Sequence, residues 1–151
     1  MDSSLRGIAD YLLAQNDSST VDPVAIGPHL LPYVYILDVE RDGEIRLRIR
    51  LTGTAIDHVF RRPLFGHHLE EFIHGPRGDE VIASFHHCAR TREPIWMRQI
   101  VELNNRAPRY VEGIAVFLEP ERIYGGLVIG DLILPGVEAG FERTVLTRAS
   151  G

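Results

Sequence analysis

Seven histidines, one cysteine, an isolated acid and a row of arginines are the side chains of this sequence that could carry chemistry. The histidines are His29, His58, His67, His68, His74, His86 and His87. His67, His68, Glu70, Glu71 and His74, with His86 or Cys88, are the ligand types zinc accepts. Their spacing matches no compact pattern such as His-Glu-x-x-His, so no metal site is expected. Cys88 is alone, which excludes an internal disulfide and fits a reducing cytoplasm. The absence of Cys-x-x-Cys-His excludes covalently attached haem. No Gly-x-Ser-x-Gly, phosphate-cradling loop or carboxylate pair with a nucleophile is found, so no catalytic residue is assigned. Asp131 is the one carboxylate in an otherwise apolar run. If buried, it would have a raised pKa and could act as an acid or base, although a hydrogen-bonded structural role is the simpler reading.

The arginines sit in Glu-Ile-Arg-Leu-Arg-Ile-Arg-Leu-Thr-Gly-Thr, residues 44–54. Ile45, Leu47, Ile49 and Leu51 alternate with Arg46, Arg48 and Arg50, which defines a strand with one apolar and one charged face. The apolar row should face covering helices. The charged row either guards a sheet edge or forms part of a partner-binding face.

Composition narrows the function classes. The chain has 151 residues, 44% hydrophobic and 25% charged, as expected of one globular domain. A net charge of −5 argues against a nucleic-acid partner. All basic residues are arginine, which reads as genomic composition bias. No run approaches a membrane span, and residues 1–15 do not read as a signal peptide.

The elements that must position these residues follow from periodicity. Leu5, Ile8, Ala9, Leu12 and Leu13 make an amphipathic helix capped at residues 2–4 and ending near Gln15-Asn16. After a polar linker, Asp22-Pro23 starts a short turn that ends near Gly27-Pro28. Residues 33–39 and 44–51 form a hairpin about Arg41-Asp42-Gly43. Helices are expected over 54–60, 66–73 and 79–92, with Gly53 permitting the exit from the hairpin and Thr54 capping. Strands are expected over 95–103, 110–119 and 124–134, then a tail that is loose or a short helix.

Strands in two runs around a helical block imply an α+β fold with an antiparallel sheet. This layout resembles a PAS domain. Leu31-Pro32, Arg50-Leu51-Thr52-Gly53-Thr54 and Leu64-Phe65-Gly66 are similar to a group of single-domain PAS proteins best known from alphaproteobacteria. The resemblance covers residues 22–134, leaving 1–21 as an N-terminal helix with linker and 135–151 as a tail. It implies a five-stranded sheet of order 2-1-5-4-3 with the helical block on one face.

The resemblance also implies a stand-alone, cytoplasmic sensory or adaptor domain without catalysis, signalling in trans through ligand- or partner-dependent contacts. Cavity walls would come from Leu51, Ile56, Phe60, Phe72, Phe85, His86, Trp96 and Phe117, unless these side chains simply fill the core. Haem-binding relatives place an iron ligand near His86, whereas His87 points away at helical spacing. No cofactor is required. The Asn-Cys-Arg-Phe motif of light-sensing relatives is missing, so Cys88 reads as a buried small hydrophobe. A partner or homodimer face would use Leu5, Ile8, Leu12, Tyr33, Arg46, Arg48 and Arg50; the alternative is that the first helix packs on its own sheet. A different class of reading is a small cone-shaped enzyme using Asp131.

Overall fold

The computed structural model describes residues 1–101, 109–131 and 141–148. Asp2 caps the first helix, its Oδ1 accepting from the backbone N–H groups of Ser4 at 2.8 Å and Leu5 at 3.2 Å. The helix, α1, runs Ser3–Leu13, short of Gln15. Asp22 and Pro23 start α2, Pro23–Ile26. The hairpin follows as β1, Val34–Glu40, and β2, Arg46–Thr52. Then come α3, Thr54–Phe60, and α4, Gly75–Thr91. The chain continues with β3, Ile95–Val101, β4, Arg109–Leu118, β5, Arg122–Asp131, and β6, Glu142–Val145.

The strands form one antiparallel sheet of order β2-β1-β5-β4-β3-β6. The expected five-strand order is contained in it, and β6 extends it. Residues 142–145 pair with β3, where an apolar strand otherwise offers an open row of backbone groups. This part of the tail is therefore neither loose nor helical. Residues 103 and 132–140, on which other strand-end and tail expectations fall, lie outside the described residues.

A helix over 66–73 is not formed; only a 3-10 turn at Leu69–Glu71 is present. The backbone there is used elsewhere. Gly66 N–H donates to Ile49 O and Ile49 N–H to His67 O, both at 2.8 Å, laying this segment against the outer edge of β2.

The sheet has two covered faces. Tyr35, Leu37, Leu47, Ile49, Val111, Ala115, Phe117 and Ile123 pack against α3 and α4 on the inner face. Val34, Ile36, Ile114, Val116 and Leu118 pack against α1 on the outer face. Apolar residues on both sides of β1 follow from this double cover. Gly126 lets α1 come close: a Cβ there would lie 2.8 Å from Leu5 Cδ2.

The β1–β2 ladder contains a bulge. Leu37 stands opposite Ile49 and Ile36 opposite Leu51, so Arg50 has no opposite residue. Leu51 is thereby shifted to the outer face and is 44% exposed. The expected uniform apolar row ends at Ile49.

No helix of the described residues is long and apolar enough to cross a membrane.

Candidate functional site

The inner face was the expected place for a ligand. Ile56, Phe60, Phe72 and Phe85 converge there with Tyr35, Leu37 and Ile49. Phe60 meets Phe72 edge-on at 5.7 Å, and Tyr35 meets Phe85 at 5.6 Å. The Tyr35 hydroxyl donates to Ile114 O at 2.5 Å. The remaining void is about 20 Å³. That is room for one water molecule, and the apolar walls offer none of the 2–4 polar partners, roughly, that a water needs.

Four other expected wall residues lie elsewhere. Leu51 faces outward because of the bulge. Trp96 stands opposite Ile114 on the outer face, as strand parity requires. Phe117 is buried in the inner core away from the void, with the Arg92 guanidinium 4.9 Å above its ring. His86 is partly exposed, and its Nε2 lies 2.8 Å from Glu70 Oε2. Cys88 is fully buried; desolvation pushes its thiol up to about 12, so it is unreactive. The side chain of Asp131 lies outside the described residues.

His67, His68, His86 and His87 each pair with a carboxylate. His68 Nε2 is 2.6 Å from Glu40 Oε1, while Arg48 Nε donates to Glu40 Oε2 at 2.7 Å. Arg48 also donates to Gly66 O at 2.7 Å. Hydrogen bonds from Arg48 and then His68 hold the Glu40 carboxyl below its ordinary range. The Glu70 carboxylate accepts the Leu47 N–H at 3.2 Å, which closes the β2 edge where no strand can. Desolvation raises the Glu70 pKa, but its bonds to His86 and to backbone N–H groups outweigh this and keep it low. No group of three or more His, Cys, Asp or Glu side chains among the described residues could hold a metal ion.

The strand that carries the arginines sits at the sheet edge, as expected. Its backbone at Leu47 and Ile49 is nevertheless covered by the chain's own 66–70 segment. Arg48 anchors that cover, Arg50 reaches Asp38 at 3.4 Å, and Arg46 is exposed without an ion-pair partner among the described residues. Leu5, Ile8 and Leu12 are fully buried on the chain's own sheet, so they are not available to a partner. Tyr33 is half-buried at the border of the outer core.

One acid escaped the sequence reading. Glu112, in β4, is only 5% exposed and accepts from Trp96 Nε1 at 2.7 Å, Asp2 N at 2.8 Å and the Tyr110 hydroxyl at 2.9 Å. Burial alone would raise its pKa, but these three donors outweigh burial and hold the carboxyl low. Strand parity carried the signal, since Glu112 shares a face with Ile114, Val116 and Leu118. Glu112 pins the start of α1 to the sheet. It is a structural fastening.

No family model matches this sequence, and no curated protein or solved structure matches it either.

Proposed function

We propose that this chain is a PAS-type adaptor that works in the cytoplasm through contacts with another protein. Support for the fold part comes from the 2-1-5-4-3 order within the sheet and from a helical block on one face of it. The same order speaks against a cone-shaped enzyme, which leads with its helices before one long curved sheet.

The observation that carries the adaptor reading is the closed interior. A site for a small molecule or cofactor takes about 300 Å³ or more. The space between the sheet and α3–α4 is about 20 Å³. His86, the residue a haem would need, is engaged by Glu70 outside that space. Sensing through a ligand held in this core is thus disfavoured, and signalling through the surface is favoured. That surface could also serve a second copy of the chain.

Native mass spectrometry of the purified protein tests this reading. The expected spectrum shows the bare chain, or whole multiples of it. A stoichiometric small-molecule adduct, lost with Phe85→Trp, would overturn it in favour of a ligand-based sensor.

A further inference from the structure

We infer that the outer groove beside Leu51 is the docking surface of this chain, and that it takes an acidic segment of another protein carrying one bulky apolar anchor. The inference rests on the adaptor reading and names the chemistry of its partner.

α1 packs mainly on β4 and β5 and leaves the β1–β2 end of the outer face partly open. There Pro23, Ile26, Val34, Ile36 and Leu51 line an apolar pocket of about 210 Å³. This is below the roughly 300 Å³ of a drug-sized ligand site, and it suits one large side chain. Leu51 also forms a wall of a second, open groove of about 540 Å³, shared with Arg50, Arg62 and Phe65. Leu51 is thus the ridge that joins pocket and groove, and the bulge puts it there.

Two further observations favour a protein segment. Exposed large apolar side chains gather at this end of the molecule: Phe65 is 75% exposed, and Val24 of α2 is 78% exposed. Charge decides the partner's composition. Arg50 is held by Asp38 only at 3.4 Å, and Arg62 stacks over the Phe72 ring at 4.5 Å with no acid paired to it among the described residues. Arg61, the neighbour of Arg62 at the end of α3, has no ion-pair partner among the described residues. Asp57 is the one carboxylate among the residues that line the groove, where Arg50 and Arg62 outnumber it. Exposed guanidiniums around an apolar anchor site fit carboxylates around an aromatic or leucine residue.

The test is selection of a phage-displayed random peptide library on the immobilised full-length protein. Synthetic versions of the enriched peptides are then titrated by fluorescence anisotropy. Enriched peptides should carry Phe, Trp or Leu flanked by Asp or Glu. Leu51→Asp and Phe65→Ala should each weaken binding by about tenfold or more, Arg50→Glu with Arg62→Glu likewise, and added salt by several-fold. Val145→Asp, on the far sheet edge, should leave binding unchanged. Circular dichroism checks that each variant keeps the fold, as these exposed positions allow.

Enrichment of basic peptides, or binding that responds to Val145→Asp and not to Leu51→Asp, overturns the groove while leaving the adaptor reading intact. So does a dimer that Leu51→Asp splits, which would make a second copy the occupant. Failure to enrich any peptide, together with a small-molecule adduct in the native mass spectrum, overturns both.

Discussion

Leu51 stands opposite Ile36 across the β1–β2 ladder, whereas Ile49 stands opposite Leu37. One residue of β1 is thus matched by two of β2, and the apolar row divides between the two faces of the sheet. Ile49 belongs to the inner core, and Leu51 to the outer surface. This single offset removes Leu51 from the expected ligand cavity and makes it the ridge of an external groove.

The offset predicts unequal costs for two similar truncations. Ile49→Ala should lose about 2–5 kcal/mol through a core cavity. Leu51→Ala should lose no more than about 1 kcal/mol, since the side chain is already half in water. Urea unfolding of both variants provides the check, and equal losses would place Leu51 in the core after all.

Among the described residues, Glu112 is the only acceptor for the Trp96 indole N–H and the Asp2 amide. Glu112→Ala should cost about 1–3 kcal/mol by leaving buried donors unpaired. Trp96 is the chain's single tryptophan, so its fluorescence reports this site alone. Unchanged emission in the variant, with unchanged stability, would rule out the fastening.

Acid should destabilise the fold in a defined direction. Glu40, Glu70, Glu71 and Glu112 are all held below the ordinary value of 4.5. Below that value the unfolded chain binds protons that the folded chain refuses. Their contribution is complete above about pH 4.5 and is lost as pH falls through the folded pKa values. Thermal unfolding from about pH 7 to about pH 3 should show Tm falling at the acid end, and Glu112→Gln should flatten that fall. A Tm independent of pH across the range contradicts the carboxylate pairings.

Gly53 is required for space. Its φ of −69° is open to any residue, but a Cβ would lie 2.3 Å from both Leu31 O and Pro32 O. Gly53→Ala should therefore cost about 1–3 kcal/mol as the strand exit is pushed off the preceding turn. Differential scanning calorimetry measures this, and a neutral result would show that the two segments can part freely.

The Leu47 amide depends on a side chain for its hydrogen bond. In Glu70→Ala that amide should lose protection, while the Ile49 amide, bonded to His67 O, keeps its own. Amide hydrogen exchange resolves the two residues. Equal protection of Leu47 in both proteins would mean that Glu70 does not close the edge.

Much of this architecture was legible along the chain. The strand over residues 46–52, the helix at 54–60 and the α1 stripe could all be read from spacing, because period two and period 3.6 are local properties. Less legible were the elements whose backbone is bonded to distant segments. Residues 66–73 have helical composition, but Gly66 N–H and His67 C=O are taken up by Ile49 at the β2 edge. Residues 142–145 look like a loose tail until β3 offers them a ladder. Thr54 reads as a cap, yet it begins the helix, and Gly53 holds the cap position without a side-chain bond.

The candidate site divides in the same way. Ile56, Phe60, Phe72 and Phe85 could be recognised as inward-facing from their spacing, since amphipathic periodicity reports which face is dry. Whether those side chains leave a chamber depends on how two layers interlock, and only packing determined that they nearly close it. By itself, the sequence determined the alternating strands, the helical stripes and the absence of any compact catalytic or zinc motif. Tertiary structure decided that β2 carries one unmatched residue, that Glu112 is buried among donors and that Leu51 lies on the outer surface. The physical reason is that periodicity is written residue by residue, while pairing offset, burial of an acid and leftover volume are properties of two segments brought together.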